Sequence, residues 1–264
     1  MTVHLPGFTE STFTHDGITR PVYAAGSGPA VIVIHEVPGL HPQVAAFAQR
    51  VVDAGFSVRM PSLFGTPGRA VSVGYTVETM AKVCVAKEFT ALALDRTNPI
   101  IGWLRRLAAE AHDECGGPGV GAVGMCFTGG FALGMMVDDA MLAPVLSQPS
   151  LPFPVSPKRR RSVGISDADL ARVKERAGQG ACLLGLRFTE DKAVPPERFE
   201  TLRRELGDAF IAVEIDSSKA NVHGIPRTAH SVLTQHFVDA PGHPTREALD
   251  RVLEFFDAQL RPSS

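Results

Sequence analysis

The stretch GAVGMCFTGG, residues 121–130, sets a lone cysteine among four glycines. Val120 to Met125 are small or apolar, the composition of a buried strand. Phe131 to Val137 can wind into an apolar helix. Cys126 between them is either core filler or a nucleophile held up at a turn. The run Gly124-Met125-Cys126-Phe127-Thr128-Gly129 has the strand–turn–helix setting of a nucleophile elbow, G-x-S-x-G. At such an elbow the nucleophile occupies a strained turn, so residues two positions either side must be small. Gly124 meets this demand. Thr128 does not, and Gly129 and Gly130 come one position late. The following helix N-terminus favours a thiolate, and the Phe127 N–H would face a developing oxyanion.

Outward from this centre, strand and helix patterns alternate. Residues 31–35 (VIVIH) read as a buried strand between Gly28-Pro29 and Pro38-Gly39. Residues 42–54 follow with helical spacing: Val44, Phe47, Val51 and Val52 can share a face, with Gly55 as the stop. Strands are expected at 56–60, 120–125, 141–146, 180–187 and 210–215. Helices are expected at 77–95, 98–112, 129–137, 167–177, 196–206 and 244–260. Asn98 and Pro99 are the expected cap and first-turn residue of the second of these. Residues 147–178 form an excursion, rich in proline and serine, that reads either as a lid or as a plain surface insertion. Ser166 and Asp169 suggest a capping-box variant within it. The whole predicts a single α/β domain, 1–264, with a mostly parallel central sheet and helices on both faces.

Composition narrows the function classes. Of 264 residues, 26 are basic and 28 acidic, so no electrostatic nucleic-acid binder is expected. The cluster Lys158-Arg159-Arg160-Arg161 is read as a solvated loop. No apolar run is long enough for a membrane span, and no leader-like apolar segment is visible at the start. Cys84, Cys115, Cys126 and Cys182 include no CxxC pair, which argues against a zinc site and fits free thiols in a reducing cytoplasm. His35-Glu36 lacks the second histidine that a zinc-peptidase helix needs, position 39 being glycine.

A thiol acting on an acyl carbon needs a base, and the base needs an orienting carboxylate. After the strand ending at 187 comes Thr189-Glu190-Asp191-Lys192-Ala193-Val194-Pro195. Asp191 fits the acid, and its neighbour Glu190 could substitute. After the strand 210–215 come His223, His230 and His236. His230 is the preferred base, with His223 as the rival.

Taken in chain order, these residues resemble the dienelactone hydrolase family, α/β-hydrolases with a Cys-Asp-His triad. The resemblance covers about residues 30–260. It is carried by Ile34-His35-Glu36-Val37-Pro38-Gly39-Leu40 and the later DAGFSVRMPSLFG, by the Gly-x-Cys elbow, by Asp191-x-x-Val194-Pro195, and by His230-Ser231. It implies Cys126 as nucleophile, Asp191 as orienting acid and His230 as base. Glu36 would sit near the thiol and help control its ionisation, and Val37 would supply a second oxyanion N–H beside that of Phe127. Thr128 departs from the family elbow. Thr234 stands where members that act on dienelactone place an arginine, and Lys82, Lys87 and Arg96 are merely nearby candidates for a second cation.

The resemblance implies a hydrolase of a lactone or activated carboxylic ester. It acts on a small molecule, without metal or cofactor and without nucleic-acid or membrane partners, as a monomer or homodimer. Thr128 and the absent arginine motivate one alternative, a non-hydrolytic thiol-sensing or ligand-binding protein on the same fold.

Overall fold

The computed structural model describes residues 5–89 and 96–261. Eight strands form one sheet: β1 (Thr9–His15), β2 (Ile18–Ala25), β3 (Ala30–Ile34), β4 (Ser57–Pro61), β5 (Val120–Met125), β6 (Met141–Ser147), β7 (Leu183–Phe188) and β8 (Phe210–Ile215). Their spatial order is β1-β2-β4-β3-β5-β6-β7-β8. The pairs β1–β2 and β2–β4 are antiparallel, and all the others are parallel. The helices are α1 (Pro42–Asp53), α2 (Val73–Val85), α3 (Pro99–Cys115), α4 (Phe131–Met135), α5 (Pro157–Arg161), α6 (Asp167–Gly178), α7 (Pro196–Leu206) and α8 (Pro244–Leu260). This is the α/β-hydrolase architecture.

The sheet is covered on both faces, and β3 shows why its sequence is apolar throughout. Ala30, Ile32 and Ile34 face a core with Ile100, Trp103 and Leu104 of α3, the apolar side of α4, and Phe199 and Leu202 of α7. Val31 and Val33 face the opposite core, with Val44, Phe47 and Val51 of α1 and Leu249, Val252 and Phe256 of α8. The period of two along a strand sends alternate side chains to opposite layers, so a strand buried twice needs no polar positions. From β3 the chain runs to β4 on one side and to β5 on the other. This reversal opens a crevice at the carboxyl ends of β3 and β5, where open α/β sheets bind ligands.

Several elements depart from expectation. The N-terminal hairpin β1–β2 is not among the expected elements. It turns on Asp16-Gly17, both at positive φ (47° and 74°), as a two-residue turn between twisted strands requires. Helix α2 begins at Val73 rather than 77, because the Ser72 side chain caps it by accepting the Tyr75 N–H. It ends at Val85, and residues 90–95 of the expected 77–95 helix lie outside the described residues. Asn98 occupies the N-cap position of α3, but its side chain does not cap the helix. The basic cluster forms the one-turn helix α5 rather than a loop, capped by Ser156, and Arg160 of this helix pairs with Glu197 at 2.7 Å. The second half of 147–178 is α6, the crossover from β6 to β7, with Ser166 accepting the Asp169 N–H at its start. Among the described residues no helix is long and apolar enough to cross a membrane.

Candidate active site

Cys126 follows β5 directly and opens a single 3-10 turn, Cys126–Thr128. Its φ of +54° is in the left-handed region, a strained backbone for a residue with a side chain. The tight packing of the turn explains its small neighbours. A Cβ on Gly124 would lie 2.3 Å from the Thr128 carbonyl oxygen, and one on Gly129 would lie 2.5 Å from the Pro149 Cα. Glycine is therefore needed at 129, one position beyond its expected place, and position 128 takes a threonine. The Thr128 hydroxyl accepts the Met125 N–H and faces the Ile34 and His35 carbonyl oxygens, all at 3.1 Å. It joins the elbow to the end of β3. The Phe127 side chain is fully buried in an aromatic cluster with Phe64, Phe89, Phe131 and Phe153. Its amide lies in the first turn, where N–H groups have no partner within the helix.

Asp191 and His230 meet across 39 residues: Asp191 Oδ2 lies 2.6 Å from His230 Nδ1. The other carboxylate oxygen, Oδ1, accepts the Ala193 N–H at 2.9 Å. Arg187 of β7 braces this loop through the Val194 carbonyl (3.0 Å) and the Thr189 carbonyl (2.8 Å), and its remaining nitrogen pairs with Glu214. Glu190 instead pairs with Arg227 at the surface, at 2.5 Å. With Nδ1 bonded to the carboxylate, Nε2 is left to face the thiol. Burial favours the neutral imidazole, but the Cys126 sulfur and the Asp191 carboxylate outweigh it and hold the His230 pKa well above its usual value.

The two other histidines of the loop stand apart from the thiol. His223 is exposed and packs edge-on against His243. His236 turns its Nδ1 to the backbone N–H of Ser231 at 3.2 Å, so it accepts there and braces the loop that carries His230.

Glu36 follows β3 and is buried, but it makes no hydrogen bond to Cys126. Oε1 faces His41 Nε2 at 3.1 Å and accepts from the Thr234 hydroxyl. Oε2 accepts from the Ser231 hydroxyl at 2.7 Å and from Gln148 Nε2 at 3.2 Å. Burial alone would raise the pKa of this carboxyl. The bonds from His41, Thr234 and Ser231 overcome that and keep it below the usual carboxylate range. Thr234, which stands where the resemblance sets an arginine in members that act on dienelactone, is thus bonded to Glu36. Lys82, Lys87 and Arg96 are exposed, and Lys82 pairs with Glu78 at 2.6 Å.

Val37 lies within the turn that the Gly39 N–H closes on the Glu36 carbonyl at 2.8 Å. This puts its amide on the segment that Thr128 ties to the elbow.

Three residues escaped the sequence reading. Gln148, buried with φ +38°, accepts the Val232 N–H on Oε1 at 3.2 Å and donates from Nε2 to Glu36. Ser150 places its Oγ 3.7 Å from Cys126 Sγ and 3.5 Å from His230 Nε2. Arg198, buried on α7, donates to the carbonyls of Pro149, Pro152, Arg159 and Ser162. Together with the Arg160–Glu197 pair, this fixes residues 149–162 to α7. Burial lowers the Arg198 pKa to about 10, against the opposing pull of Asp191. Among the described residues no group of three or more His, Cys, Asp or Glu side chains is placed to hold a metal. A cavity of about 530 Å³ lined by His15, Arg105, Asp138 and Met141 lies at the opposite edge of the sheet, by the amino ends of β5 and β6, and is remote from this chemistry.

The model of the dienelactone hydrolase family matches residues 18–260. A Salmonella typhi protein named "Putative carboxymethylenebutenolidase" is 24% identical over 247 residues, covering 90% of this chain and 80% of that protein. Among solved structures, a dienelactone hydrolase from Anabaena variabilis superposes with a TM-score of 0.60 at 14% identity, covering 98% of this chain and all of the other. A dienelactone hydrolase-like promiscuous phosphotriesterase from metagenomic libraries superposes with a TM-score of 0.61 at 17% identity, covering 96% of this chain and 98% of the other. The chain belongs to the dienelactone hydrolase family and is a hydrolase of the α/β-hydrolase fold.

Proposed function

We propose that this hydrolase opens a lactone or an activated carboxylic ester through a covalent thioester on Cys126. The observation that carries the reading is the strained cysteine at the end of β5 facing an imidazole that Asp191 holds at 2.6 Å. The sulfur gives its proton to His230 Nε2 and attacks the acyl carbon. The N–H groups of Phe127 and Val37 support the oxyanion. The intermediate collapses, and His230 returns the proton to the departing oxygen. In a lactone that oxygen stays attached to the acyl group. Water then gives a proton to His230 and attacks the thioester, and the thiolate leaves as the acid forms.

A thiolate is a better leaving group than an alkoxide. The first intermediate therefore tends to expel sulfur again unless the leaving oxygen is itself activated. This favours enol lactones, aryl esters and thioesters over alkyl esters. The Cys126→Ala protein should lose turnover of an aryl ester while keeping the melting temperature of the parent. Undiminished turnover would remove Cys126 from the mechanism. A panel of lactones, aryl esters and thioesters would then rank the substrates.

A further inference from the structure

The geometry points to Ser150 as a fourth catalytic residue, whose hydroxyl bonds the Cys126 sulfur when that sulfur carries negative charge. The inference rests on the reading of Cys126 and His230 as the reacting pair.

Ser150 is held in place from several sides. Its N–H donates to the Cys126 carbonyl at 2.9 Å. The absence of a side chain at Gly129 lets Pro149 pack onto the elbow, and Arg198 holds the carbonyls of Pro149 and Pro152 on either side of Ser150. The side chain is buried. Its Oγ therefore has a fixed position, 3.7 Å from Sγ and 3.5 Å from Nε2. A third neighbour, the Gln148 carbonyl oxygen, lies at 3.2 Å.

A serine hydroxyl has one proton to give and two lone pairs. Three acceptors compete for that proton here: the Gln148 carbonyl, the Cys126 sulfur and, while the imidazole is neutral, His230 Nε2. With a neutral thiol and imidazole, the carbonyl is the nearest acceptor. Once the proton has moved from Sγ to Nε2, the sulfur is anionic and attracts the hydroxyl, while the new Nε2–H can donate to the Ser150 lone pair. Both bonds then involve a charged group, and such bonds are roughly twice as strong as neutral ones. The hydroxyl thus favours the ion pair over the neutral pair. The same bond forms again whenever sulfur is expelled as a thiolate in deacylation. The other titratable groups around the pair are Asp191 on Nδ1, Glu36 through Ser231, and His236 beneath the His230 loop. None of them makes a hydrogen bond to the sulfur.

The test is alkylation of Cys126 by iodoacetamide, followed peptide by peptide so that Cys84, Cys115 and Cys182 are counted separately, from pH 5 to 10. In Ser150→Ala the rate constant at pH 6 should fall about tenfold, one pH unit of displacement, with the two profiles merging at high pH. Ser150→Thr, which keeps the hydroxyl, should restore the parent profile. Ser150→Gly removes the hydroxyl with a different packing change and serves if the alanine variant does not fold. A folded hydroxyl-free variant whose profile superposes on the parent overturns the proposal. Alkylation does not require turnover, so this outcome is distinct from failure of the hydrolytic reading, which Cys126→Ala tests on its own.

Discussion

The hydroxyl of Thr128 lies 3.1 Å from the carbonyl oxygen of Ile34, tying the turn that carries Cys126 to the strand that precedes Glu36 and Val37. The two amides proposed to bind the oxyanion, those of Phe127 and Val37, belong to the two segments so joined. Thr128→Val keeps the volume, removes the hydroxyl and leaves the buried Met125 N–H without that partner. It should cost about 1–3 kcal/mol in urea unfolding. Aryl-ester turnover should fall through kcat rather than KM, because the donors lose their spacing, and Thr128→Ser should recover most of it. A folded Thr128→Val protein with the parent kcat would mean that the hydroxyl does not set the oxyanion site.

Gly129 and Gly130 are adjacent, but only the first is packed against backbone. A Cβ at 129 would meet the Pro149 Cα at 2.5 Å and the carbonyl oxygens of Cys126 and Ser147 at 2.9 Å. None of these can swing aside as a side chain can. At 130 the nearest atom is 3.6 Å away. Gly129→Ala should therefore destabilise the protein by about 1–3 kcal/mol or more and displace Ser150 from the thiol, with loss of turnover. Gly130→Ala should stay close to the parent. Equal melting temperatures for the two variants would contradict the packing at 129.

What could be read from sequence was local, and what could not be read was assembled across the chain. The apolar run at 31–34 identified β3 because burial on both faces removes every polar position. The Gly-x-Cys turn located the thiol because strain restricts its neighbours. The N-terminal hairpin carries only a short signal, the turn pair Asp16-Gly17, between strands with little apolar alternation. The partners of Glu36 had none: His41, Gln148 and the pair Ser231 and Thr234 come from three segments, the farthest 198 positions away. Arg187 and Arg198 look like surface charges in sequence. They are buried because backbone carbonyls and, for Arg187, Glu214 occupy their donors.

The neighbouring acids Glu190 and Asp191 are separated by where their side chains point. Asp191 bonds His230, while Glu190 bonds Arg227 at the surface. Asp191→Asn keeps the shape but cannot stabilise an imidazolium, and its amide can hold the ring in the wrong tautomer. On the proposed mechanism it should lower kcat for an aryl ester by about 10³–10⁴-fold, the loss seen when a triad's orienting acid is neutralised. The pH at which His230 loses its proton should also fall, since one of the two groups that raise it is gone. Glu190→Gln should leave turnover within a factor of about two, because exposed ion pairs contribute little. A large loss in Glu190→Gln with a small one in Asp191→Asn would reverse the assignment.

His35 makes the fold sensitive to acid. The ring is fully buried, with Nε2 accepting the Leu63 N–H and Nδ1 donating to the Glu36 carbonyl, both at 3.0 Å, so the neutral ring satisfies both sites. Burial lowers its pKa to about 4, with the bond to the Glu36 carbonyl opposing and His41 adding to the fall. Unfolded, the same ring titrates near 6.5. Between these values the unfolded chain takes up a proton that the fold refuses, so stability holds above pH 6.5 and falls as the pH drops toward 4. The interval corresponds to at most about 3 kcal/mol. His236, also held below its usual pKa by burial and by His230, acts in the same direction. His35→Gln should lower stability at pH 7.5, because one ring bond is lost, yet flatten the decline between pH 7.5 and 5 in urea unfolding. A variant that declines as steeply as the parent would place the acid sensitivity in another group.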